Sequence, residues 1–395
     1  MKHFRIYKIN ELVKLLLFIT TLLILLVFSK ENLNSVKSST TVFLQSVFPS
    51  LFPFILFTNI ILNTNITNIL DKLIGKYISY IFNVPKISSI AIITGFLCGF
   101  PMGAKTVATL YTDNKIDYTT AKKLLSFTNN CNPSFILSTI GISMFFSIKV
   151  GILLLISHYS ASIIIGIIYT RLNFSTIIHE NTDFLNSFNK KSVKNTDKND
   201  KFFNIIKKGI TNTFISLSTI FGFIIIFNLL FSVINTYLIR LNISEEIIST
   251  ISCIFEVTKG CLDIASLNLD ITLKLVLASF GLGFSGLCII SQIYSVISDF
   301  NFKFSNILLP KFIQGIISGF ITYILIKFTN IFNPSTLDVF NNNDMYYIDY
   351  IHKIKNAYLT STIIIILGIM LYLIFNNIPK KSSQKTTLLK KGGKL

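Results

Sequence analysis

Apolar runs long enough to enter or cross a lipid bilayer recur from one end of this chain to the other, at 15–28, 42–63, 87–111, 134–148, 150–170, 210–238, 273–298, 306–328 and 357–377. About 20 residues of helix cross the ~30 Å hydrocarbon layer. Inside that layer every backbone N–H and C=O must find a partner within the protein. The pattern predicts an all-α polytopic membrane protein of about eight transmembrane helices, with Gly/Pro-broken re-entrant segments in two pseudo-repeats. Composition agrees, with 51% of residues hydrophobic and 14% charged. Soluble proteins average about 25% charged. A soluble domain could not bury this much Ile, Leu and Phe, and disordered, collagen-like and disulfide-rich secreted chains are excluded on the same ground.

The charge is nonetheless high, at +18. It is clustered: residues 1–14, 171–208 and 380–395 together carry thirteen of the eighteen net positive charges. Basic loops and tails stay on the cytoplasmic side of a membrane protein. The clusters therefore read as topology, with both termini and the 172–208 loop inside, rather than as a nucleic-acid surface. The whole of 1–395 is expected to be a single integral membrane domain. Within it, 1–30 holds the first span, 42–171 a first repeat, 172–208 a basic cytoplasmic loop, 209–328 a second repeat, 357–377 the last span and 378–395 a basic tail.

Parity then bears on the first half. Full spans at 15–28, 42–63, 134–148 and 150–170 return the chain to the cytoplasm and leave 87–111 as a hairpin turning at Gly99–Gly103; the alternative is that 87–111 spans and another segment does not. Pro49 and Pro53 predict a kink in 42–63. Residues 66–83 read as interfacial. Asp117 caps an amphipathic helix whose less polar face holds Ile116, Ala121, Leu124, Leu125 and Thr128. In the second half, the acidic stretch 240–270 reads as lying outside, and 273–298 either spans or re-enters. The glycine-rich strings G-F-L-C-G-F-P-M-G at 95–103 and G-L-G-F-S-G at 281–286 suggest the paired broken segments of a secondary transporter. A broken helix exposes backbone polar groups at mid-membrane, and these are costly unless they line a cavity or bind a ligand.

Several strings together resemble the sporulation integral membrane protein YlbJ family. They are S-L-F-P-F-I-L at 50–56, G-F-L-C-G-F-P-M-G-A-K at 95–105, N-N-C-N-P-S-F-I at 129–136, F-E-V-T-K-G at 255–260 and G-F-S-G…Q from Gly283 to Gln292. The resemblance covers residues 12–330. That family falls in the gate, or nucleoside-recognition, group, which is similar to concentrative nucleoside transporters. It implies transport in a sporulating cell, with dipicolinate passing toward the forespore across the mother-cell-derived membrane. Asn132 departs from the pattern, which has glycine before the proline.

The candidate substrate-binding residues follow. Gly99, Pro101 and Gly103 could cradle a carboxylate with the N–H groups of a half-helix, or form a packing turn. Lys105 could meet an anion or snorkel to the interface. Asn129 and Asn130 could bind substrate or end a helix. Glu256 sits in apolar sequence, where acids are functional candidates, though Lys259 three residues on could pair with it. Thr258 comes with its motif. Gly283, Ser285, Gly286 and Gln292 form the second broken segment, for ligand contact or for helix packing.

Other chemistry is not expected. The five cysteines form no C-x-x-C pair and His3, His158, His179 and His352 are scattered, so neither metal nor cofactor is predicted. No H-E-x-x-H, G-x-S-x-G or Walker A motif occurs, which argues against an enzyme. The expected partners are a small-molecule anion, the lipid bilayer and other sporulation membrane proteins, with no nucleic acid. A nucleoside-type transporter and a non-transporting scaffold in spore assembly are the alternatives.

Overall fold

The computed structural model describes residues 19, 23, 26–62, 66–171 and 198–328. Most of the expected first span at 15–28 lies outside the described residues, as do most of the 172–208 loop, the last span and the basic tail. The backbone forms two compact units, Met1–Val339 and Phe340–Leu395, and every described residue belongs to the first. The described residues are all-α, with five helices long and apolar enough to cross a membrane, or six if one bent pair is a span.

Helix α1 (Ser29–Ile61) is continuous, so the 42–63 run is part of a longer helix rather than a separate span. Pro49 has no N–H to give the carbonyl four residues back. The helix absorbs the mismatch as a π-turn at Phe43–Val47. Ser50 Oγ then donates to the carbonyls of Ser46 at 2.8 Å and Val47 at 3.0 Å. Helix α2 (Ile66–Phe82) leads through a 101° bend into the segment Lys86–Leu97.

Helices α3 (Ser89–Leu97) and α4 (Met102–Thr112) fold back on each other. The Thr94 hydroxyl donates to that of Thr106 across the pair, at 3.0 Å. This is the hairpin expected of 87–111. Helix α5 (Tyr118–Leu125) starts at Asp117, whose carboxylate accepts from Thr120 N at 3.1 Å. Its predicted less polar face is buried.

Helix α6 (Phe135–Met144) is π-helical and corrects the full span expected at 134–148. At 1.5 Å per residue it rises no more than about 15 Å, half the hydrocarbon thickness. The apolar run overstates it because Phe145–Ser147 turn the chain into α7 (Ile148–Arg171). Residues 118–144 are better described as one helix broken at 126–132.

The second half repeats this order. Helix α8 (Lys198–Arg240) lies antiparallel to α1, with Phe28–Tyr237 ring centroids at 5.8 Å, Phe43–Phe221 at 4.6 Å and Phe52–Phe214 at 5.8 Å. The acidic stretch 240–270 is largely helical. It forms a second hairpin, α9 (Glu245–Phe255) and α10 (Val257–Ser266), so close that a Cβ on Gly260 would stand 2.0 Å from Cys253 Cα. Helices α11 (Ile271–Phe284) and α12 (Gly286–Ile297) form a 27-residue candidate span interrupted at Ser285, which favours crossing over re-entry for 273–298. Helix α13 (Ser305–Phe328) follows.

The repeat therefore pairs differently from the glycine strings. Hairpin α3–α4 corresponds to α9–α10, broken helix α5–α6 to α11–α12, and α7 to α13. In each half the broken helix packs through glycine on the next long helix. A Cβ on Gly141 would stand 2.5 Å from Gly151 Cα, and one on Gly283 would stand 2.8 Å from Gly315 Cα. Glycine at 281–283 thus marks close helix packing, whereas glycine at 99 marks a turn.

Candidate functional site

Each hairpin turn seats against the break of the following helix. In the first half the Thr128 carbonyl oxygen fills a notch between α3 and α4: a Cβ would lie 1.7 Å from it on Gly95 and 1.9 Å on Gly103. Asn130 N donates to Gly95 O at 3.3 Å. Ala104 N donates to Asn129 Oδ1 at 2.8 Å. Gly99, at φ +82°, lies beside Asn132. Asn132 Nδ2 donates to Leu97 O at 2.8 Å, while its Oδ1 accepts from Ser134 N at 2.7 Å. The residue that departs from the family pattern thus caps α6, with Pro133 in the first helical position, where a missing N–H is harmless.

In the second half Glu256 is extended, and its carboxylate accepts from Thr258 N at 2.9 Å and Lys259 N at 2.8 Å. It is the N-cap of α10. The considered ion pair with Lys259 is not the arrangement adopted, because Lys259 Nζ turns to Asp263 Oδ2 at 2.8 Å. Ser285 and Gly286 are both left-handed, at φ 72° and 71°. A Cβ on Gly286 would stand 3.3 Å from Cys253 O and Val257 N, so the second turn seats on the second break.

Turns and breaks surround one small cavity of about 30 Å³. Phe100 enters from the first turn, Asn132 and Phe135 from the first break, Glu256, Val257 and Thr258 from the second turn, and Ile289 and Gln292 from α12. Val47 and Leu51 of α1 and Ile220 and Ile224 of α8 close it. The π-turn of α1 therefore ends at the cavity wall. The space is that of about one water molecule. Helices α4, α6, α10 and α12 all begin around it.

The predicted residues divide into groups. Glu256, Thr258 and Gln292 line the cavity. Gln292 is buried, and its Oε1 accepts no hydrogen bond among the described residues. Gly99 and Pro101 flank Phe100, and Ser285 and Gly286 form the second break. Gly103 and Gly283 are close-packing positions. Lys105 is half-buried on α4 and does not line the cavity.

Asn129 and Asn130 are also absent from its wall and belong to a buried network with α13. There Lys311 Nζ donates to the Asn129 carbonyl oxygen and to Gln314 Oε1, the latter at 2.9 Å. Gln314 Nε2 donates to Asn130 Oδ1 at 3.1 Å. Cys131 N donates to His158 Nε2 at 3.1 Å. The sequence proposes no site role for Phe100, Asn132, Phe135, Lys311 or Gln314, although Asn132 stands out as a departure from the family pattern. For Lys311 a signal exists: a lysine inside the apolar run 306–328 is a functional candidate by position alone.

These helices define the class: an all-α, multi-pass integral membrane protein, built as two repeats whose broken helices meet around one cavity. The kinship is then specific. Over 348 residues, which is 81% of this chain and 84% of the relative, the chain is 25% identical to the sporulation integral membrane protein YlbJ of Bacillus subtilis (strain 168). That match supports the YlbJ family for this chain, and with it a sporulation membrane protein. No family model matches the chain, and no solved structure does.

Proposed function

We propose that the protein carries a small organic anion across a membrane of the sporulating cell. Dipicolinate moving toward the forespore is the substrate that the family resemblance implies. The observation that supports an anion is the convergence of four helix N-termini, those of α4, α6, α10 and α12, on one buried cavity. A helix N-terminus carries about half a positive charge. The N–H groups at the starts of α4, α6 and α10 already meet Asn129, Asn132 and Glu256, so the dipoles rather than free donors are what these ends offer an anion. Broken membrane helices of transporters use such ends to hold anionic groups. Glu256 already fills the α10 end, and the Gln292 amide offers a further polar contact. A cavity of about 30 Å³ is a closed state. Ligand pockets occupy roughly 300–1,000 Å³, so loading requires the turns and the α1–α8 wall to part.

One observation favours a second reading. The Glu256 carboxylate faces the cavity and suits a neutral solute rich in hydrogen-bond donors, as in a nucleoside-type transporter. Purified protein in liposomes, offered labelled dipicolinate beside labelled uridine, separates the two. Saturable dipicolinate uptake is expected. Uridine uptake alone would establish the second reading. Flux of neither, with a stable partner recovered from sporulating cells, would establish a scaffold.

A further inference from the structure

Lys311 is a fully buried cation-forming group that the cavity does not use directly. Among the described residues its Nζ meets two acceptors, the Asn129 carbonyl oxygen and Gln314 Oε1, and no carboxylate lies within 4.0 Å of it. An uncharged amine has two N–H bonds, and both are matched here. An ammonium has three, and would carry an unpaired donor and a full charge into an apolar interior. The site is built for the amine, with a lone pair left to take a proton.

The unwound segment ties this site to the cavity. Asn129 holds Lys311 with its carbonyl, and three residues later Asn132 lines the cavity. A positive charge at Lys311 becomes tolerable when a negative charge arrives on the other side of that segment. The converse holds with equal strength, because coupling between two bound species is reciprocal.

We infer that Lys311 is a proton-binding site and that one proton travels with each anion that the cavity loads. This rests on the transport reading above. On loading, the Lys311 amine forms a third N–H bond with a proton from the solution on the entry side. On release, that bond breaks and the proton leaves with the anion. No electrons move.

The neighbours leave Lys311 as the acceptor. Two titratable groups are near enough to interact with it: His158 on α7 and the Cys131 thiol of the unwound segment. His158 Nε2 is occupied accepting from Cys131 N, so a proton there would break that bond. The other titratable side chains on helices packed against α13 are Lys149, Tyr159, Tyr169 and Arg171 on α7, Lys274 on α11, Cys288 and Tyr294 on α12, and Tyr118, Lys122 and Lys123 on α5. None of these is a carboxylate that could neutralise Lys311.

The test uses the full chain in liposomes that enclose a pH-sensitive dye. Dipicolinate uptake should acidify the lumen. With the membrane potential clamped at zero, the accumulation ratio should rise about tenfold for each unit of inward pH gradient, as one proton per anion requires. Lys311→Met keeps the length and apolar stem. It should lose the lumen acidification and the response to the gradient. Lys311→Arg, permanently charged, should also lose that response, and provides a second variant if Met prevents folding. Wild-type uptake that moves no protons overturns the coupling and leaves the transport reading standing. Retained coupling in Lys311→Met overturns the assignment to Lys311. Absence of dipicolinate flux in the wild type overturns the transport reading, and the coupling with it.

Discussion

Gly95 lies directly beneath the carbonyl oxygen of Thr128, so close that a Cβ on Gly95 would stand 1.7 Å from it. The obstacle is backbone and cannot rotate away. Gly95→Ala should therefore force the first hairpin off its seat. A destabilisation at or above the 1–3 kcal/mol usual for overpacking is expected. Gly222, with nothing within 4 Å of its would-be Cβ, supplies the control. Gly222→Ala should raise stability, by up to about 1 kcal/mol. Thermal unfolding of both variants in detergent decides the matter, and equal Tm values would contradict the seating.

Asp117 holds the first turn of α5 through Thr120 N. Asp117→Ala should lower stability by about 1 kcal/mol, and Asp117→Asn by much less, because Asn also caps. An equal loss in both would show that charge matters there, not capping.

Glu256 caps α10 and faces the cavity. The two roles come apart under substitution. Glu256→Gln keeps one acceptor oxygen for the cap and removes the charge, so it should remain folded while dipicolinate uptake changes at least tenfold. Glu256→Ala also leaves buried N–H groups unmet and should lose a further 1–3 kcal/mol of stability. Uptake by Glu256→Gln at the wild-type rate would remove the carboxylate from the mechanism.

Gln292 and Lys105 are opposite cases. Gln292→Leu takes the unpartnered amide oxygen from the cavity and should lower uptake at least tenfold with little change in Tm. Lys105 stands off the cavity, and Lys105→Ala should keep uptake within about threefold. The reverse ranking would place the anion beside α4 instead.

The fold is legible in the sequence where one residue type has one physical effect. Apolar runs mark the long helices, Asp117 marks the start of α5, and Gly99 with Pro101 marks the first turn. Legibility fails where the same effect has two causes. The second turn contains no glycine or proline at its break. Glu256 makes it by capping the next helix, so the acidic stretch gives no sign of a hairpin. The glycines of 281–283 serve a helix contact and mimic a turn. The run at 134–148 looks like a span because Phe145 and Phe146 carry its apolar character through the turn into α7. Of the site, Glu256, Thr258 and Gln292 stand out as polar groups among apolar neighbours. Asn132 and Lys311 acquire meaning only once the break at 126–132 brings the cavity and the buried network of α13 to one unwound strand of backbone.

That strand has a mechanical consequence. Asn130 N is held by Gly95 O of α3, Asn129 Oδ1 by Ala104 N of α4, the Phe127 carbonyl by Ser162 Oγ of α7, and the Asn129 carbonyl by Lys311 of α13. Seven residues of unwound backbone thus act as a rivet through four helices. None of the four can slide along its axis without shearing bonds that the other three rely on. Any stroke the protein makes must carry them as one block.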